Sequence, residues 1–301
     1  MKNNQVDKPA TSSGDIAVNK MEFVSYAKWI LSGEHTVVRG GKAVVFPLNY
    51  YKCSLFYEEA DELTIDEDLP YRSIFISLLH KAAVLTDTDF HKVHGKITEK
   101  TDIPVESGLG SSAAICRNVA NIFMYLGFCN DVASLARSLE DMFHGKSSGL
   151  DISVAMINKP LVFQQNRIID VLEKPFMAQF MLSYSGRKSC TSRCAEIIET
   201  IHRDDYVKAA ELDAMMNQAS DLCEYGVKNS DFNKLKEGIN LGNQVFHQWN
   251  LCDTNLDDHM NFLTSIGAVA SKPIGSGLGG YVVSLWENQP RKYGDICLTF
   301  Q

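Results

Sequence analysis

The pattern of apolar and polar positions already divides the chain into strands and helices. Met21 to Leu31 is dominated by apolar residues and predicts a strand, followed by turns at Gly33 and at Gly40-Gly41. Ala43 to Pro47 and Tyr50 to Tyr57 predict two further strands, and the acidic stretch Glu58 to Asp68 predicts a loop. Tyr71 to Leu85 carries Ile74, Ile76, Leu78, Leu79, Ala82 and Ala83 at helical spacing. His94 to Thr101 mixes Gly, Ile and Thr with charged residues, the pattern of an exposed or edge strand. Helices are predicted over 111–126, over 131–144 with Val132, Leu135, Ala136, Leu139 and Met142 on one face, and over 150–156. A hairpin around Asn166 (161–164 and 168–172) and a buried strand over 178–184 follow.

The last third reads as helices over 190–202, 206–225, 230–250 and 256–265. It closes with strands over 269–272, 281–285 and 295–299. Strands and helices mix without regular alternation, so the fold class expected is α+β rather than a doubly wound sheet. A polar leader over 1–20, expected to be disordered, precedes two expected domains, 21–175 and 176–301. Their boundary falls somewhere near 165–180, where no Pro/Ser-rich linker marks it.

Composition narrows the function classes. The 301 residues carry a formal charge of -8, and no basic run is available to neutralise nucleic-acid phosphates. No apolar stretch reaches membrane-span length, and the leader has no apolar segment of a secretory signal. The eight cysteines are scattered and form no Cys-x-x-Cys pair, which suits a reduced, cytoplasmic protein. No nucleic acid and no membrane partner is expected. A homodimer is compatible with this reading.

Four segments hold the candidate chemistry. Gly108-Leu-Gly-Ser-Ser-Ala-Ala114, between a strand and an apolar helix, lets the backbone approach a ligand and aims free N–H groups at an anion. Glycines kept for packing before a Ser-capped helix give the same letters. Glu140 and Asp151, flanking Gly145 to Gly149, could serve a metal ion and an acceptor hydroxyl. They also fit a solvated helix face and an N-cap. Lys28, near the end of its strand, could reach a cleft or lie along the surface, and Glu34-His35 could face a substrate. Lys272-Pro-Ile-Gly-Ser-Gly-Leu-Gly-Gly280 is a second glycine loop, or a plain hairpin.

Taken together, the order and spacing of these segments resemble the galactokinase, homoserine kinase, mevalonate kinase and phosphomevalonate kinase superfamily, the GHMP kinases. The resemblance runs from about Met21 to Leu285 and rests most specifically on Pro104-x-x-x-Gly108-Leu-Gly-Ser-Ser-Ala-Ala114. Ser148-Gly-Leu-Asp151 and the late glycine loop support it. Gly33-Glu-His followed by Val37-Val38, with Gly41-Lys-Ala-Val-Val45, is most similar to the mevalonate kinase branch.

The resemblance implies a ribosomal-protein-S5-like N-terminal domain, a ferredoxin-like C-terminal domain and an active site between them. It implies ATP and Mg²⁺ as cofactors and a small-molecule alcohol as acceptor, with the 5-hydroxyl of mevalonate first. Another acceptor of the superfamily, or an inactive ATP- or metabolite-binding regulator, stands as the alternative. By the same resemblance Asp151 is the catalytic base and Lys28 its partner. Pro104, Gly108, Leu109, Gly110, Ser111, Ser112 and Ala113 hold ATP, and Ser112 and Glu140 ligate the metal. Glu34, His35, Thr191, Gly275, Ser276 and Gly277 meet the substrate. The chain departs from the family pattern at Tyr26-Ala27 before Lys28, at Ser147, at Ile152 and at Ile274-Gly-Ser-Gly277, while keeping the charged groups.

Overall fold

The computed structural model describes residues 20–288, except 68, 70, 146 and 177, and the backbone of a strand at 296–298. The expected disordered leader lies outside the described residues but for Lys20, which opens the first strand.

β1 (Lys20–Ser32) and β2 (Ala43–Glu58) are long antiparallel partners. The sequence splits β2 in two at Pro47–Tyr50, whereas the structure keeps it as one strand. Register jumps there from Ala27↔Leu48 to Tyr26↔Lys52, so 49–51 bulge out and Tyr50 is exposed while pairing resumes on both sides. β3 (Leu63–Ile65) forms inside the stretch expected to be a loop. It pairs in parallel with β4 (Gly95–Thr101), so β4 is an inner strand and not an edge. α1 (Arg72–Leu85) lies between them in sequence.

α2 (Ser111–Tyr125), α3 (Val132–His144) and α4 (Leu150–Ile157) follow, then the hairpin β5 (Leu161–Gln164) and β6 (Arg167–Val171), which completes the first sheet. A core of Leu55, Phe75, Leu78, Leu79, Val119 and Phe123 fills the space between α1, α2, α3 and this sheet. Met142, expected on the buried face of α3, is exposed because that face ends at Leu139.

β7 (Gln179–Tyr184) opens the second sheet, and four helices are inserted before it continues. These are α5 (Thr191–Asp204), α6 (Tyr206–Asn229), α7 (Phe232–Gln248) and α8 (Thr254–Ser265). β8 (Ala270–Pro273), β9 (Tyr281–Trp286) and β10 (Ile296–Leu298) complete it in the order β10-β7-β9-β8. Aspartates set the starts of α3, α6, α7 and α8: Asp131, Asp205, Asp231 and Asp253 each accept a hydrogen bond from a backbone N–H of the first turn. Among the described residues no helix is long and apolar enough to cross a membrane.

The two sheets share a core. Trp29 stacks on Phe46 at 4.9 Å and meets Phe180 of β7 at 5.4 Å. Val283 and Leu285 of β9 join the same cluster, so the late part of β1 is buried against the second half of the chain. That location explains why six consecutive residues, Ala27 to Ser32, are buried in place of the alternation of a one-sided strand.

Candidate active site

The two glycine loops, far apart in sequence, touch. A Cβ on Gly275 would lie 2.9 Å from the Gly108 Cα, and one on Gly280 would lie 2.9 Å from the Ser107 carbonyl. The backbones therefore meet where no side chain fits, and the meeting line joins the two halves of the molecule. Ser189 pins the same line: its N–H donates to the Glu106 carbonyl at 3.0 Å and its hydroxyl to the Gly277 carbonyl at 2.6 Å.

Beneath the first loop runs β1. The Lys28 N–H donates to the Leu109 carbonyl at 2.9 Å, and its side chain passes under Gly110, where a Cβ would sit 2.9 Å from the lysine Cγ. Gly110 also has φ +79°, the left-handed region that favours glycine, and it leads directly into α2 without a side-chain cap. Leu109 and Ala113 turn their side chains into the cores, so only their backbones can meet a ligand. Ser111 and Ser112 are half-buried at the first turn, and Pro104 accepts the Ser107 hydroxyl on its carbonyl at 2.6 Å.

Lys28 is not a surface lysine. It is buried, and its ammonium lies 3.0 Å from the Asp151 carboxylate in the first turn of α4. Glu140 likewise does not lie on a solvated helix face but is buried, with Ser147 donating to it at 2.9 Å. Burial first, and then the nearby Asp151 carboxylate, push the Glu140 pKa up to about 8. Two carboxylates thus share a largely buried spot in which the Lys28 ammonium balances one of them.

The predicted acceptor residues separate into two groups. His35, at φ +60°, bonds through Nε2 to the Ser276 carbonyl at 2.9 Å and meets the edge of Trp249 at 5.5 Å. Burial lowers its pKa to about 4, against the raising effect of the Ser276 bond. The Ser276 hydroxyl also lies 2.6 Å from that of Ser189 and donates to Thr191 at 3.3 Å, so His35, Ser276 and Thr191 form one polar chain with Gly275 and Gly277 in its backbone. Glu34 is elsewhere: its carboxylate is wholly buried in an ion pair with Lys272 and does not reach the cleft surface.

Sequence reasoning missed Lys272, Ser189, Ser147 and Arg137. The Arg137 Nη2 donates to the Ser148 carbonyl at 3.2 Å, and its guanidinium fills the space beside Gly149. Lys272 had a signal, being the only charged residue between the apolar strand and the late glycine loop. The serines had none.

Residues 77–159, which span α2, α3, Glu140 and Asp151, match the family model for the GHMP kinases N terminal domain. Over that stretch the chain resembles the GHMP kinases. The mevalonate kinase of Thermococcus sibiricus is 25% identical over 91% of this chain and 91% of its own length. That of Archaeoglobus fulgidus is 26% identical over 88% of this chain and 92% of its own. The fold matches the crystal structure of L. major mevalonate kinase in complex with R-mevalonate with a TM-score of 0.72 at 19% identity, covering 90% of this chain and 89% of that one. The α+β fold is therefore the fold of the solved mevalonate kinases it matches.

Proposed function

We propose that the chain is an ATP-dependent mevalonate kinase, with its site where the two glycine loops meet over Lys28, Glu140 and Asp151. The observation that carries this reading is the Lys28–Asp151 pair, 3.0 Å apart and tucked under the Gly108–Ser112 loop. The N–H groups opening α2 cradle the triphosphate. Asp151 accepts the proton of the acceptor hydroxyl, and Lys28 both fixes that carboxylate and meets charge developing on the transferred group. Ser112 and Glu140 offer oxygen donors suited to magnesium, and a cation there would relieve the repulsion between the Glu140 and Asp151 carboxylates. Magnesium, when bound, neutralises charge on the phosphates. His35, Ser276 and Thr191 line the acceptor side. Near Glu34 the cations Arg39 and Lys42 are already engaged, by Asp213 and by Asp221 and Glu224. This favours an acceptor that carries no phosphate.

The test is ATP turnover with Mg²⁺ against mevalonate, phosphomevalonate, galactose and homoserine. Turnover with mevalonate, reduced by roughly 10²–10⁴-fold in Asp151→Asn, is expected. Full activity in that variant would overturn the mechanism, and turnover with another acceptor alone would overturn the substrate. ATP binding without any turnover would leave a regulator.

A further inference from the structure

On the far side of β8 from this site, the turn between α7 and α8 gathers three side chains of different donor type. His247 lies in the last turn of α7, Cys252 in the connection and Asp257 in the first turn of α8. Their donor atoms all lie within 4.8 Å of one another, and His247 Nε2 is 3.5 Å from Asp257 Oδ1. Equal steps of five residues, carried across a helix end and a helix start, bring them together. No local Cys/His spacing announces such a set.

Beside the cluster lies a cavity of about 420 Å³, which His247 and Asp257 line together with Asn240, Asn243 and Asn261. The Asn243 Oδ1 is buried and has no hydrogen-bond partner. A buried acceptor left open beside a cavity is costly unless a donor fills it, and a metal-bound water supplies one. Ser271 of β8 lines this cavity. Strand alternation turns the next residue, Lys272, to the opposite face and toward Glu34.

We propose that His247, Cys252 and Asp257 form a zinc site whose fourth position opens into this cavity. One imidazole, one thiolate and one carboxylate are the donors zinc takes, and three protein ligands with one open position is its habit outside closed structural sites. Magnesium, which prefers all-oxygen surroundings, does not suit the set. The Cys252 thiol proton leaves to solvent as the metal–sulfur bond forms. Asp253 is itself committed, capping α8 and pairing with Arg187 at 2.8 Å.

The site bears on the late glycine loop. Leu251, next to Cys252, accepts the Leu278 N–H at 2.8 Å, and its Cβ lies 2.8 Å from where a Cβ on Gly277 would stand. Fixing Cys252 on a metal fixes the wall against which Gly275–Gly280 rests.

The experiment titrates the full chain with Zn²⁺ against a chromophoric chelator, and with Co²⁺ as a spectroscopic substitute, in excess Mg²⁺. One equivalent of Zn²⁺ is expected, with a thiolate-to-cobalt charge-transfer band and slower amide exchange at Leu278. Cys252→Ser abolishes the band and weakens zinc on the order of 100-fold. His247→Ala weakens it too, and Cys190→Ser, at an exposed cysteine elsewhere, changes nothing. Unchanged far-UV circular dichroism in each variant excludes misfolding. No stoichiometric zinc, or equal binding by Cys252→Ser, overturns the proposal. None of these readouts depends on kinase turnover, so the site stands or falls apart from the proposed activity.

Discussion

The Glu34–Lys272 pair makes the sharpest stability prediction. Both side chains are essentially without solvent contact, and the lysine joins the second sheet to the turn after β1 across 238 residues of sequence. Lys272 Nζ also donates to the Pro273 carbonyl at 2.8 Å and stands 5.2 Å from the Phe246 ring centroid, while Glu34 Oε2 has no partner. Lys272→Met keeps the apolar stem and removes the charge, which strands a buried carboxylate. Breaking such a pair from one side costs about 3–5 kcal/mol, a large part of the roughly 5–15 kcal/mol that holds a domain folded.

Burial already raises the Glu34 pKa, and the lysine opposes that rise. Without Lys272 the carboxyl takes up a proton more readily. A carboxyl with a raised folded pKa loses stability as pH climbs from its unfolded value through the folded one. The deficit of Lys272→Met therefore grows with rising pH and shrinks toward acid. Urea unfolding at several pH values measures it, and Glu34→Gln combined with Lys272→Met is expected to recover part of the loss, closing a double-mutant cycle with coupling above about 1 kcal/mol. A single-variant loss below about 1 kcal/mol, or additive variants, would refute the argument that the charge rather than the packing is at stake.

Other consequences are narrower. Gly110→Ala forces a left-handed alanine costing about 1–2 kcal/mol and pushes its Cβ into the Lys28 stem, so turnover should fall at least about tenfold while the fold survives thermal melting. Ser189→Ala removes the hydroxyl that holds Ser276 and Gly277; it should cost about 1–3 kcal/mol and raise the acceptor KM more than it lowers kcat. His35 titrates near 4 in the folded chain against 6.5 unfolded, so the unfolded state binds more protons between these values. Stability should fall by about 2 kcal/mol from about pH 7.5 to about pH 5, and His35→Asn, which tolerates the positive φ, should remove that slope in denaturant unfolding.

What could be read in the chain without its structure follows from the range of each interaction. The helix starts after Asp131 and Asp205 are legible because cap and capped N–H sit three residues apart, whereas α8 starts two residues before the 256 expected from its apolar pattern. The glycine loop is legible for the same reason, since its turn and the helix after it are local. The bulge at 49–51 is not, because Pro47 and Asn49 carry the signals that end a strand, and only the length of β1 opposite keeps β2 going. β3 is invisible because three residues carry no periodicity, and its partner β4 comes only after a whole helix.

Burial of charge is the least legible property of all, because it depends on a counter-charge the pattern cannot locate. Lys28 and Glu140 look like surface residues until Asp151 and Ser147 are placed beside them. Glu34 shows the converse. Set beside His35 in sequence it invites a substrate role, yet consecutive residues at a turn point to different sides: His35 reaches the Ser276 carbonyl while Glu34 turns inward to Lys272. A motif thus names the residue types a site needs. It does not say which of two neighbours faces the substrate and which holds the wall behind it, and in this fold the wall at Lys272 is what ties the two halves of the site together.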